Sequence, residues 1–275
     1  MKTLRDDLEA IVRMGSKAPS GDNLQPWYCD IVHNHIEVHV RSVSTPHEFW
    51  HHRTGALIAQ GAYIENLVIA SRHFGYGVEV TLFPQGVPDT HIATLVLTKD
   101  NCPEDHLVRY LSERTTNRSH YTRRPLAEHE KEALLNVPTT LLGETARLVS
   151  VDDTKNIQKL AHAVSVQVEA LFTYHDFHEG FYASQRLSVK DARVHNDGLD
   201  FRTLQLNPIN RFFFTTVLSS WKSVRVLGFF GFPRFMAWME SFRYAHTASY
   251  VALIATSAPE NDIQMLNTGR ILERV

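Results

Sequence analysis

Cysteine is scarce in this chain. Its two, Cys29 and Cys102, stand far apart and form no CxxC pair, which argues against a disulfide framework or a cysteine-based zinc site and fits a reducing compartment. Neither sign of charge is in excess: 28 basic residues face 30 acidic ones, for a formal net charge of −2. There is accordingly no global drive toward nucleic acid or an anionic membrane, and any basic site has to be local. No block of like charges reads as a tail. The N-terminal Met-Lys-Thr-Leu-Arg-Asp-Asp-Leu is too acidic and too poor in apolar residues for a secretion signal. Long hydrophobic runs are missing as well. Phe212 to Leu218 and Val224 to Met239 are strongly apolar, but Lys222, Arg225, Pro233 and Arg234 break them well short of the roughly 20 residues of a membrane span; an interfacial contact with lipid stays open. What remains is 275 residues, 43% hydrophobic, enough for a sizeable core in one large domain or two modest ones, and expected in the cytoplasm.

Short polar side chains concentrate at Ala18-Pro19-Ser20-Gly21-Asp22-Asn23-Leu24-Gln25-Pro26-Trp27. Before this stretch, Leu4, Leu8, Ile11 and Val12 recur at helical spacing, with Asp6, Asp7 and Glu9 early, where they favour the helix dipole. This predicts a first helix ending before Pro19. After it, Trp27 to Val32 and Ile36 to Val40 alternate around His33-Asn34-His35, the pattern of a β-hairpin with Ile36, Val38 and Val40 on one face. The polar stretch is therefore a helix-to-strand junction. Pro19 and Pro26 fix two φ angles and remove two donors, while Ser20, Asp22, Asn23 and Gln25 supply polar groups on a path that cannot stay helical. Taken alone, it reads either as a loop whose polar residues cap the backbone or as a rigid polar corner with Trp27 as its aromatic wall. His33, His35 and His39 read as hairpin surface rather than metal ligands, because no carboxylate or cysteine completes the set at a familiar spacing; no metal site is expected.

From Gly55 to Phe74 the sequence is helical and apolar around much of its circumference, which predicts a buried helix stopped by Gly75-Tyr76-Gly77. His47, His51 and His52, just before it, read as an exposed entry loop. Strand patterns follow at Val78 to Phe83 and Ile92 to Thr98, then a short helix around Leu107 to Leu111. In Arg114-Thr115-Thr116-Asn117-Arg118 two guanidiniums flank a hydroxyl within five residues. Such a set can converge on a phosphate dianion, and it is equally the composition of a solvated basic turn extended by Arg123 and Arg124. Helices are expected at Leu126 to Val137 and Ile157 to Phe172, and strands at Ala146 to Val151 and Tyr250 to Thr256. Phe181 to Phe242 changes character, with many aromatics and no clean period.

The junction resembles the Ala-Pro-Ser-x-x-Asn-x-Gln-Pro-Trp signature of the FMN-dependent nitroreductase superfamily. Arg114-Thr115-Thr116-Asn117-Arg118 is similar to that family's Arg-x-Ser-x-Arg phosphate element, with Thr116 in place of Ser and Pro125 matching its later proline. The resemblance implies an α+β, nitroreductase-like fold of antiparallel or mixed sheets packed with helices. It also implies FMN-binding roles for Ser20 and Asn23 at the ring's polar edge, for Gln25 in fixing that loop or joining them, and for Arg114, Thr116 and Arg118 at the phosphate. In an ordinary member the phosphate element precedes the corner. Here the order is reversed, which implies two related halves in one chain: residues 1–102 with the corner, and 103–275 with the phosphate grip and an aromatic-rich lid at about 181–242. A weak repeat between Gly61-Ala62-Tyr63-Ile64-Glu65-Asn66-Leu67 and Asn267-Thr268-Gly269-Arg270-Ile271-Leu272 agrees.

Around Pro138 to Gly143 the second half lacks the Ser/Asn/Gln set, so one flavin is expected at the seam. The chain stops at Glu273-Arg274-Val275, inside what reads as its closing helix, whereas family members continue past it; the chain is either shortened or lacks its last elements. The implied function is transfer of electrons from NAD(P)H through FMN to a small conjugated acceptor. Chemistry would lie on the flavin, with no catalytic side chain. The missing Gly-rich nucleotide fingerprint is neutral, since the family docks nicotinamide on the flavin face. A second reading is a flavin-sequestering protein with a closed lid, and a third a membrane-edge or protein interaction module using the Phe-rich region. The chain would be a monomeric pseudo-dimer or a homodimer.

Overall fold

In the computed structural model, which describes residues 3–41, 53–100, 102–118, 124–135, 146–256 and 261–275, the chain opens with α1 (Leu4–Gly15). Thr3 starts it with a capping box: its Oγ1 accepts from the Asp6 N–H at 3.2 Å, and the Asp6 carboxylate accepts from the Thr3 N–H at 2.8 Å. Leu8 and Ile11 turn inward and are fully buried. Strands β1 (Trp27–Val32) and β2 (His35–Val40) then form the expected hairpin, pairing from Trp27 opposite Val40 to Val32 opposite His35. The alternation decides which face goes in: Ile36 and Val38 are fully buried.

Helix α2 (Arg53–His73) crosses this sheet, completed by β3 (Tyr76–Leu82) and β4 (His91–Lys99) in the all-antiparallel order β1-β2-β4-β3. From Ala59 to Ser71 every residue of α2 is buried, as its all-round apolar sequence requires. The expected entry loop with His47, His51 and His52 lies outside the described residues. So do Arg123, the end of the helix expected to Val137, and the Pro138 to Gly143 stretch.

The chain continues through α3 (Glu128–Leu135), β5 (Ala146–Val151), α4 (Thr154–Thr173) and α5 (His175–Ala183). Two-residue strands β6 (Gln185–Arg186) and β7 (Leu199–Asp200) pair in parallel around α6 (Val189–Val194). Then come α7 (Pro208–Phe212), a π-helical turn, α8 (Trp221–Gly228), α9 (Phe232–Thr247), β8 (Val251–Thr256), which pairs antiparallel with β5, and α10 (Asp262–Leu272). The architecture is α+β, as expected, with two antiparallel sheets and one short parallel pair among the described residues. The region from Phe181 to Phe242 is largely helical where no clean period was visible. Apart from α9 its helices are short, and they carry apolar residues on both the inner and the outer side, which erases the 3.6-residue signal.

Two cores result. One joins α1, α2, the four-stranded sheet, Leu111, and Met265 and Leu266 of α10; the other gathers Phe172, Leu218 and Val224 with Trp221, Phe232 and Met236. The end of the chain thus packs into the core built by its beginning. The two stretches of the weak repeat meet there, in the middle of α2 and on α10. A Cβ on Gly61 would stand 2.0 Å from the Leu266 carbonyl oxygen, and one on Gly269 would stand 1.9 Å from that of Ile58. Leu266 precedes Gly269 by three residues and Ile58 precedes Gly61 by three, so the contact is reciprocal. Backbone on backbone leaves nothing to yield. Gly61→Ala and Gly269→Ala are each expected to destabilise the chain by about 2–3 kcal/mol, lowering the thermal midpoint by roughly 5–10 °C, checked by thermal and denaturant unfolding.

Candidate functional site

Helix α2 positions the polar corner. Gln60 Nε2 donates to the Pro26 carbonyl at 2.8 Å, and the Tyr63 ring stacks on Trp27 with centroids 4.8 Å apart and planes 11° from parallel. Both α2 residues are buried, so the exit of the corner is clamped to a helix that is buried without a break from Ala59 to Ser71. Gln60 Oε1 beside it is buried and unpartnered among the described residues. Burial drives the Tyr63 hydroxyl far above its ordinary pKa, so it stays neutral.

Between α1 and β1 the backbone turns left-handed three times at residues with a side chain: Asp22 at φ +48°, Asn23 at +56° and Gln25 at +48°. Asp and Asn tolerate this conformation; Gln does so less readily, and such positions cost on the order of 1–3 kcal/mol unless their surroundings hold them. The holding contacts are visible. Ser20 Oγ accepts from the Gln25 N–H at 3.0 Å, closing the turn on itself. Gln25 Nε2 donates to the Asn196 carbonyl at 2.8 Å and Asn23 Nδ2 to the Gly198 carbonyl at 3.2 Å, while the Gly198 N–H returns to the Asn23 carbonyl at 3.1 Å. Asp22 accepts from Ser184 Oγ at 2.9 Å. The corner is therefore strapped by residues 184–198, which arrive more than 150 positions later.

Arg118 bears on this corner electrostatically. Burial raises the Asp22 pKa, while the Ser184 hydroxyl and the Arg118 charge pull it back down. Arg114 lies on an exposed stretch, donates to the Lys17 carbonyl at 3.1 Å, and bears electrostatically on Glu273. Thr116 is exposed between the two arginines. Ser20, Asn23 and Gln25 thus share one turn, Arg118 acts on its Asp22 by charge alone, Arg114 sits at the end of α1 and the end of α10, and Thr116 stands exposed between the two arginines.

Gln60, Ser184, Asn196 and Gly198 escape a reading of the sequence. Asn196-Asp197-Gly198 does carry a turn signal, and Gly198 adopts φ +82° as a turn requires, but a turn signal does not say where the turn docks. Arg186 Nη2 anchors it from below through Asp197 at 2.7 Å, and Arg41 reaches Asp197 at 3.5 Å.

Beneath Arg114 is a buried ionic group. Glu65 of α2, only 2% exposed, accepts from Arg270 Nε at 2.8 Å and Arg274 Nε at 2.5 Å, and Arg274 Nη2 donates to Asp105 at 2.9 Å. Glu273 beside it is pushed up to about 7, first by burial and then by the Glu65 charge, against the pull of Arg114. On the far side of the sheet, Glu37 and His91 bring ligand atoms within 4.8 Å of His39 and of each other. This is a grouping that spacing in the sequence did not suggest, because β4 supplies His91 across the ladder.

Two measurements test these local arguments. At position 25 either small residue loses the amide, but only glycine relieves the positive φ, so Gln25→Gly is expected to be more stable than Gln25→Ala by about 1 kcal/mol in denaturant unfolding. For Glu273 the folded pKa lies above the ordinary 4.5, so the folded chain holds the proton while the unfolded chain releases it. Stability should therefore fall as pH rises from 4.5 to about 7 and level off above. Glu273→Gln should flatten that slope and gain about 2 kcal/mol at pH 8, allowing for partial screening by water. No protein-family model matches this chain, and no curated protein matches it.

Proposed function

We propose that this chain is an FMN-binding oxidoreductase of the nitroreductase type, acting in the cytoplasm, which moves electrons from NADH or NADPH to a small conjugated acceptor such as a nitroaromatic or quinone. In this reading its fold is two nitroreductase-like halves in one chain. Residues 1–102 carry the corner; 103–275 carry the phosphate grip and a lid at about 181–242. The observation that carries the proposal is that Arg118 comes within electrostatic reach of Asp22, the carboxylate inside the corner, although nearly a hundred residues separate them. The reciprocal glycine contact of α2 and α10 supports the two-halves part, since a pseudo-twofold axis generates such pairs.

The donor set suits a flavin mononucleotide. Side-chain amides of Asn23 and Gln25, now satisfied by two backbone carbonyls of the strap, are the donors that a ring carbonyl edge requires. Gln60 Oε1 is a buried acceptor without a partner among the described residues, which an imide N–H would satisfy. Arg114 and Arg118 offer five N–H groups each, and Thr116 a hydroxyl, for a phosphate dianion. When bound, FMN supplies hydride acceptance and release at its ring. Around it, Ser20 holds the turn that aims Asn23 and Gln25, Trp27 and Tyr63 keep that turn from shifting, and Arg118 balances Asp22. No side chain is assigned as nucleophile, acid or base, because the flavin carries the reaction.

One observation favours a second reading, in which the chain stores flavin with little reductase activity. The strap at Asn196 and Gly198 closes directly over the corner and occupies its amides. A strap that stays shut would keep nicotinamide away from a ring beneath it.

Purified protein is expected to be yellow, with an oxidised-flavin absorption spectrum and one FMN per chain. Arg118→Glu should lower FMN affinity at least tenfold, because it places a carboxylate beside Asp22 where a cation for the phosphate stood. Stoichiometric FMN in that variant would remove the phosphate assignment. Bleaching by anaerobic NADPH within seconds marks a reductase; flavin that stays oxidised for many minutes marks the storage reading.

A further inference from the structure

The second core leaves one side of its own helices uncovered. On α9, Phe232, Met236 and Ala237 face inward against α4 and α8, while Phe235, Trp238, Met239 and Phe242 follow at i, i+3, i+4 and i+7 along the other side and stay exposed. Their rings run in file: Phe235 to Trp238 is 6.2 Å and Trp238 to Phe242 is 5.6 Å between centroids. The turn from α8 to α9 carries Phe229 and Phe230, which are 82% and 84% exposed. A helix that is apolar on both sides belongs under a cover, and a patch of this extent marks a contact surface.

Charge indicates what the cover is. From Phe201 to Met239 the chain has no aspartate or glutamate and has five basic residues: Arg202, Arg211, Lys222, Arg225 and Arg234. Arg202 is held by Asp200, and Arg234 has Glu169 at 3.6 Å. Lys222 and Arg225 on α8 and Arg211 on α7 form no ion pair among the described residues. A second copy of this chain seated here would bring this acid-free, five-cation stretch against its own like and be repelled. An anionic lipid surface meets both demands, taking aromatic rings at the boundary of headgroups and acyl chains and offering phosphates to the cations. No helix among the described residues is long and apolar enough to cross a membrane, so the contact is peripheral.

We propose that Phe229, Phe230 and the outer stripe of α9 form a peripheral membrane-binding surface that enters the interface of an anionic bilayer, with Lys222, Arg225 and Arg234 on the lipid phosphates. These residues lie in the region 181–242 that the flavin reading makes a lid, but none belongs to the corner or the phosphate grip, so vesicle flotation and FMN binding are read separately.

The test is flotation of the full chain with vesicles of phosphatidylcholine alone and of phosphatidylcholine mixed with phosphatidylglycerol. Wild-type protein should float with the anionic vesicles, lose binding as salt rises, and show a blue shift in tryptophan emission on binding. The double variant Phe229→Ser/Phe230→Ser, at two solvent-facing positions, should keep its thermal midpoint and partition at least about tenfold more weakly. Arg225→Glu/Arg234→Glu should lose the preference for phosphatidylglycerol. Failure of wild type to float with any vesicle overturns the proposal, as does equal flotation of the Phe229→Ser/Phe230→Ser variant. A wild-type dimer in size-exclusion chromatography that this variant converts to monomer would instead assign the surface to a second copy.

Discussion

Glu65 sits in the middle of α2 with 2% of its surface exposed, and both cations that neutralise it come from the last residues described, Arg270 and Arg274. A buried carboxylate stripped of its partners costs about 3–5 kcal/mol, so α2 holds its place in the core only with α10 docked upon it. The two glycines at the crossing set how close that docking is. Everything that α2 positions inherits the same dependence, including Gln60 and Tyr63, which clamp the exit of the polar corner.

The corner is a place where local preference and tertiary demand disagree. Three side-chain-bearing residues are held left-handed, and the contacts that hold them come from Ser20 within the turn and from Ser184, Asn196 and Gly198 on the strap. Strain of this kind persists where surrounding structure over-determines it, and it fixes where the amides of Asn23 and Gln25 point. The same amides form the strap's hydrogen bonds, so opening the strap and freeing the donors are one event. Ligand access and corner rigidity are coupled through two side chains.

A different tension governs the second core. Its helices spend apolar residues on both sides, which stabilises the packing of Phe232 and Met236 on Phe172 and leaves Phe235, Trp238 and Phe242 facing water. Polar residues on that outer side would have made α9 an ordinary surface helix with a readable period. Its composition serves a contact outside the molecule as well as the core within it.

Local signals in the sequence were sufficient for α1, the first hairpin, α2, the two strands after it and α4. In each, capping residues, alternation or an unbroken apolar run leave a single conformation that buries the right atoms. The α+β class follows from those elements. The corner's position and polar make-up were equally legible, because Ser20, Asp22, Asn23 and Gln25 sit between two prolines at a helix-to-strand junction. What tertiary structure alone decided is which distant groups meet it: Gln60 from α2, Ser184, Asn196 and Gly198 from the strap, and Arg118 from the exposed stretch. Hydrogen bonds and charges act over a few ångströms of space with no regard for separation along the chain, and a sequence read in order records only the separation.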